Sequence, residues 1–191
     1  WKVAVKDRLN GAKNEYSHLK LADITIEKVK ESPMMWDPLH FLVSCPSSDG
    51  ACAVVFTDEE GAAKAPNPPA WVLATAMKSE PSTFAGRDPV SPKGAHMCSQ
   101  EIYDQVGITN PREQIDCAEL YVPFSWYEPM WLEAHDIAAP GEGWKMTDSG
   151  ATALDGDFPV NMSGGVLSSN PIGASGLIRF AEAALQVRGM A

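Results

Sequence analysis

Asn161-Met-Ser-Gly-Gly-Val-Leu-Ser-Ser-Asn-Pro-Ile-Gly-Ala-Ser-Gly176 decides how the rest of the chain is read. The Gly164-Gly165 pair marks a turn, and Asn170-Pro171-Ile-Gly173 marks a second one, because proline fixes φ and removes a donor while Asn starts turns readily. Small residues at Gly173, Ala174 and Gly176 leave room for close approach at the start of the next element. Beyond them Leu177, Ile178, Phe180, Ala181, Ala184 and Leu185 recur at i, i+3, i+4 spacing, which predicts an amphipathic helix from Gly176 to Val187 ended by Gly189.

Working outward, Gly94 to Val106 reads as a helix closing at Gly107, and Cys117 to Val122 as a short strand. The apolar and aromatic stretch Phe124 to Ala134 is helical only if Pro129 sits in a first turn or a kink. Ala51 to Thr57 is β-branched and almost wholly apolar, which predicts a strand buried on both faces, and Trp71 to Met77 predicts another. Between them Pro66, Pro68 and Pro69 exclude extended regular structure and suggest a linker. Asp23 to Glu31 fits a short helix capped by Asp23, whereas Trp1 to Leu21 shows no clear periodicity and reads as loop with short helical pieces. Strands alternating with helices give an α/β class.

Composition narrows the functions available. The chain has 191 residues, 45% hydrophobic and 21% charged, enough for one substantial core or two modest ones. A net charge of −10 without a Lys/Arg cluster argues against nucleic acid, and no apolar run is long enough to span a bilayer. The expectation is a soluble, cytoplasmic protein with no nucleic-acid partner and no membrane span. Cys45, Cys52, Cys98 and Cys117 form no Cys-x-x-Cys pair and have no histidine at ligand spacing, so they read as buried, reduced thiols with no metal. The chain begins at Trp1 and ends at Ala191 after Arg-Gly-Met, and both ends read as cut.

Three segments in order carry a family resemblance. Ser44-Cys-Pro-Ser-Ser-Asp-Gly-Ala-Cys-Ala-Val-Val-Phe56 resembles the segment with which thiolases finish the N-terminal domain. Asp116-Cys-Ala-Glu-Leu-Tyr-Val-Pro-Phe124 is similar to the strand and turn that carry Asn-Glu-Ala-Phe in typical thiolases and His-Asp-Cys-Phe in the lipid-transfer, or sterol-carrier-protein-x, branch. Asn161 to Gly176 resembles Asn-x-x-Gly-Gly…Gly-His-Pro-x-Gly-Ala-x-Gly. The resemblance implies an α/β thiolase-like fold, layered αβαβα with mixed sheets and a buried helix spanning Leu177 to Leu185. It also implies that residues 1–64 end an N-terminal domain with a loop region, and that 65–191 form a truncated C-terminal domain.

By the same resemblance, the histidine of Gly-His-Pro activates a nucleophilic cysteine in the N-terminal half, and a late Cys-x-Gly supplies acid/base chemistry; neither cysteine lies in this sequence. Asn170 stands in place of that histidine, and an amide cannot take a proton near neutral pH although its NH2 can donate to an oxyanion. Tyr121 stands where the family has Asn or His, and a phenol can give or take a proton. Two catalytic positions have changed together. The combination resembles the steroid side-chain aldolases, thiolase-like proteins in which tyrosines carry a retro-aldol step on a β-hydroxyacyl-CoA. The roles it implies are proton transfer by Tyr121, enolate stabilisation by Asn170, and substrate or CoA contact by Ser163, Gly164, Gly165, Pro171 and Gly173. Coenzyme A enters only as part of the substrate, with no covalently bound cofactor.

Other readings stay open on the sequence alone: acyl transfer as in acetyl-CoA acetyltransferase or 3-ketoacyl-CoA thiolase, and a non-catalytic scaffold subunit. A homodimer and a small OB-fold, zinc-ribbon accessory protein are the partners the resemblance implies. His135-Asp136 reads as a surface or cap feature because adjacent residues on a helix point apart, and His18, His40 and His96 stand isolated. Tyr121, Trp126, Tyr127 and Trp131 have the spacing of core or subunit-interface packing rather than of a ligand cage.

Overall fold

A computed structural model describes residues 1–81 and 86–190. Its helices are α1 (Lys2–Lys13), α2 (Ile26–Glu31), α3 (Glu59–Ala63), α4 (Lys93–Val106), α5 (Pro111–Gln114), α6 (Tyr127–Ala134), α7 (Gly143–Ser149), α8 (Gly165–Ser168) and α9 (Ser175–Val187). The strands β1 (Met34–Trp36) and β2 (Leu39–His40) pair antiparallel, and a 3-10 turn follows at Phe41–Val43.

Local chemistry explains most of these limits. α4 stops at Gly107, which takes the left-handed conformation that terminates a helix without a Cβ penalty. Pro129 lies in the first turn of α6, where its missing N–H costs no helical bond. The cap of α2 is Thr25, whose hydroxyl accepts from the Lys28 N–H, and not Asp23, which pairs with Lys28 on the surface. Inside the proline-marked linker, Asp58 caps α3 by accepting from the Gly61 N–H.

The opening residues are the largest departure from expectation, because in place of loop with short helical pieces they form the 12-residue α1. Val3 and Ala4 are buried there, but so are Asp7, Arg8, Asn10 and Gly11, so the inward face is polar and apolar periodicity is absent. α1 packs on α8 backbone against backbone. A Cβ on Gly11 would lie 2.4 Å from that of Ser168, and one on Gly164 would lie 2.3 Å from the Gly11 Cα. Val3, Ala4, Ile24, Val29, Val43, Val122 and Leu167 form one core around this contact, and Leu132, Ile137, Phe158 and Val160 form another.

Residues 51–57 and 71–77 form no strand among the described residues. A strand exists only with a partner for its backbone donors and acceptors, and instead of being buried on both faces Val55 is 93% and Phe56 67% exposed. Phe56 still reaches the Phe180 ring, with centroids 5.6 Å apart, so the first of these segments runs beside α9. Cys117 to Val122 keeps only a parallel bridge between Ala118 and Val160. α9 is amphipathic as expected, yet it buries Ser175, Arg179 and Glu182 and leaves Leu177 exposed. Among the described residues, nothing beyond their own neighbouring backbone lies within 4 Å of a Cβ built on Gly173 or Gly176.

Under α1, the Lys6 ammonium lies 2.9 Å from Asp7 Oδ1 and 2.7 Å from Glu128 Oε2 and donates to the Val160 carbonyl at 2.6 Å. Burial pushes the Asp7 carboxyl up to about 7; Lys6 counters this and Glu128 adds to it, so two carboxylates share one cation.

Gly164, at φ +93° against α1, and Gly173, facing open space, make a matched test. Gly164→Ala should destabilise the protein by about 2–4 kcal/mol in urea denaturation, whereas Gly173→Ala should change it by less than about 0.5 kcal/mol. A second expectation concerns pH. Because the raised Asp7 pKa makes the folded state bind more protons between the ordinary carboxylate range and about 7, this contribution to stability is lost as pH rises through that window. Denaturation midpoints taken across it should show the loss, and the pH-independent side chain of Asp7→Asn should flatten it.

Candidate active site

The site is built where distant segments are tied together. The Ser125 N–H donates to Val43 O at 2.9 Å and the Cys45 N–H to Pro123 O at 2.8 Å, with Ser44 and Phe124 bridged antiparallel between them. Arg8, 2% exposed, donates from Nε and NH2 to Leu42 O and from NH2 to Ser44 O, clamping the same segment from below. The segment carrying Tyr121 is thereby held beside the one carrying Cys45. On its other side the Ala118 N–H donates to Pro159 O and the Asn161 N–H to Ala118 O, which ties it to the start of the glycine-rich stretch.

Asn170 lies at the far end of that stretch and is 6% exposed. Its side chain is held from both ends: the Ser175 hydroxyl donates to Oδ1 at 2.7 Å, and Nδ2 donates to Cys45 Sγ at 3.0 Å. Its backbone N–H donates to Ser48 Oγ at 3.0 Å, and that hydroxyl in turn meets His18 Nδ1 at 2.8 Å. With the Ser175 hydroxyl donating to Oδ1, the NH2 group is turned toward the thiol. In this arrangement Asn170 presents a donor.

Next to it lies a cavity of about 380 Å3 lined by His18, Gly50, Cys52, Ser169, Pro171 and Arg179, among others. Arg179 in its wall belongs to a buried ion pair. Arg179 NH1 lies 2.5 Å from Glu119 Oε2, Ser163 donates to Glu119 from its N–H at 3.0 Å and its hydroxyl at 2.8 Å, and Arg179 also reaches the Ser163 hydroxyl. Asn14 donates to Glu182 at 3.0 Å and to the Ser163 carbonyl at 3.1 Å.

The sequence-derived site residues separate on this geometry. Ser163, Gly165 and Pro171 line the cavity, with Ser163 also inside the ion-pair network. Gly164 faces α1, where packing requires it to lack a side chain, and Gly173 faces open space. Tyr121 is half-buried; its carbonyl accepts from Trp131 Nε1 at 2.7 Å, and among the described residues its hydroxyl has no hydrogen-bond partner. No hydrogen bond joins Tyr121 to Asn170.

Cys45 is a candidate residue that the sequence reading does not single out. All four cysteines were expected buried, but each is only partly so, and Cys45 faces Asn170. Its place five residues before Gly50, in the first of the three resembling segments, was the available signal. His135 caps α6 and stacks on Trp131, with Nδ1 2.5 Å from Ser99 Oγ, and burial holds its pKa down; Asp136 turns instead to Gln100 and His96. Tyr127 and Trp131 pack against the first core, as expected for core aromatics, while Trp126 is exposed and stacks on Phe124. Among the described residues no cluster of three or more His, Cys, Asp or Glu could hold a metal ion, and no helix is long and apolar enough to cross a membrane.

The family model described as thiolase C-terminal domain-like matches residues 76–191. The chain belongs to that family. An acetyl-CoA acetyltransferase of Methanothermobacter thermautotrophicus is 31% identical over 190 residues, covering 99% of this chain and 49% of that protein. A steroid side-chain-cleaving aldolase of Thermomonospora curvata is 31% identical over 193 residues, covering 98% of this chain and 48% of that protein. The solved structure of an Ltp2-ChsH2(DUF35) aldolase matches with a TM-score of 0.84 at 27% identity, over 99% of this chain and 50% of that one. The fold is thus thiolase-like, and the chain spans about half the length of these relatives.

The ion pair offers a direct check. Glu119→Gln leaves the Arg179 charge buried without its partner and should destabilise the protein by about 3–5 kcal/mol in urea, while adding Arg179→Met should recover part of the loss.

Proposed function

We propose that this thiolase-family chain is part of an enzyme that cleaves the carbon–carbon bond of a β-hydroxyacyl-CoA by a retro-aldol reaction. The observation that carries the proposal is the donor presented at Asn170. Ser175 holds its Oδ1, its NH2 points outward to Cys45, and no proton-accepting group occupies the position where the family pattern has histidine. A group of this kind does little to activate a nucleophile and much to hold a negative oxygen.

Retro-aldol cleavage needs that arrangement. A base takes the hydroxyl proton, the bond between the α and β carbons breaks, and its electrons move onto the thioester as an enolate. Tyr121, whose hydroxyl has no hydrogen-bond partner among the described residues, is the proposed base; Asn170 is the proposed donor to the enolate oxygen. The cavity beside Ser163, Gly165 and Pro171 is the proposed space for part of the acyl-CoA. Coenzyme A arrives with the substrate, and no other cofactor is invoked.

Two named relatives support this choice, the steroid side-chain-cleaving aldolase and the Ltp2-ChsH2(DUF35) aldolase. A steroid side chain is accordingly the first acyl group to try, with a partner subunit present. Acyl transfer is the second reading, favoured by the identity to an acetyl-CoA acetyltransferase.

In the complete protein, Tyr121→Phe should abolish cleavage of a β-hydroxyacyl-CoA and leave thioester binding by calorimetry unchanged, while Asn170→Ala should lower kcat about a hundredfold. Unimpaired cleavage by Tyr121→Phe removes the proposed base, and thiolysis of a 3-ketoacyl-CoA without any cleavage of the hydroxy substrate selects acyl transfer.

A further inference from the structure

We infer that Cys45 is the acid that protonates the α-carbon of the enolate, completing the reaction that Tyr121 begins. This rests on the retro-aldol reading above. Cleavage leaves two proton transfers to account for, one from the substrate hydroxyl and one to the α-carbon. Tyr121 answers for the first. The second needs an ionisable group close to the enolate, and therefore close to Asn170.

The side chains bonded to Asn170 are Cys45, Ser48 and Ser175. Serine hydroxyls do not ionise in the working range, whereas a thiol does. Ser48 meets only the backbone N–H of Asn170, so the exposed His18 behind it is one hydroxyl further from the amide. Ser175 is committed to Oδ1. Cys45 lies against the NH2 group proposed to hold the enolate oxygen and is partly open to solvent.

An independent feature supports the sulfur. Arg8 is almost fully buried, donates to the carbonyl of Ser44 next to Cys45, and has an NH1 nitrogen with no hydrogen-bond partner among the described residues. Negative charge left on the sulfur thus meets the Asn170 donor, with a buried cation hydrogen-bonded to the residue before Cys45. In the step itself the Sγ–H bond breaks, a C–H bond forms at the α-carbon from the enolate electron pair, and the thioester carbonyl re-forms. The thiolate regains its proton through solvent, balancing the one taken by Tyr121, and no co-reactant is required.

The test is the reverse half-step: deuterium uptake at the α-carbon of acetyl-CoA and butyryl-CoA by the complete protein in D2O, read by mass spectrometry. Wild type should exchange, and Cys45→Ala and Cys45→Ser, each shown to fold by circular dichroism, should exchange at least about a hundredfold more slowly. If neither variant folds, alkylation of wild type mapped to Cys45 should stop exchange. Exchange that survives either change overturns the inference and leaves the cleavage reading standing, as does a wild type that cleaves the hydroxy substrate without exchanging. A wild type that does neither overturns both.

Discussion

Asn161 is the constraint on which the arrangement depends. It is fully buried at φ +53°, a left-handed conformation that asparagine tolerates better than most residues. Its Oδ1 accepts from the Leu120 N–H, its Nδ2 donates to Asp7, its carbonyl accepts from Asn10, and its N–H donates to Ala118. One residue therefore joins α1 to the segment leading to Tyr121 and to the glycine-rich stretch leading to Asn170. Each such bond contributes only about 1 kcal/mol net, but a buried group left without its partner costs about 1–3 kcal/mol. The cluster is accordingly all or nothing.

That constraint explains why polar groups are so deep in this chain. With Asn161 joined to Asp7, the neighbouring Lys6 and Glu128 are drawn into the same low-dielectric space, and Arg8 on the adjacent face clamps the Cys45 segment. α9 repeats the pattern, turning Arg179 and Glu182 inward to meet Glu119 and Asn14. Both helices bury hydrogen-bonded polar faces, and polar networks of this kind specify one geometry because alternatives leave charges unpaired. The chemistry proposed above depends on the direction of one amide, and such a frame would serve it.

The sequence was legible where its signals were local. α4, α6 and α9 announced themselves by apolar spacing, Gly107 and Pro129, and the family by motifs whose order survives substitution. α1 was hidden because the signal of periodicity is apolar and its buried face is not. The strands at 51–57 and 71–77 were overcalled for the opposite reason: their composition is that of a sheet interior, but pairing depends on backbone partners that no local composition encodes. Within the candidate site, motif position singles out Asn170 and Tyr121 but not Cys45, because a thiol between a serine and a proline carries no signature of its own. Only the fold brings it to Asn170 across 125 residues of chain.

Asn170, standing where the family pattern has histidine, places a demand on the side chains around it. A histidine in this position would need only a neighbour to orient it, since it carries its own proton-accepting nitrogen. An asparagine cannot move a proton at all, so any proton transfer has to pass to residues around it, and the frame must bring an ionisable side chain within reach of the amide. Under the proposed assignment to Tyr121 and Cys45 the glycine turns and the helix that follows need no alteration. Arg8 and Asn161, both buried within the frame, fix the segments that carry Cys45 and Tyr121, and Ser175, in the first turn of α9, fixes the amide itself. The substitution is tolerated by the fold because its consequences fall on side chains that the backbone already presents.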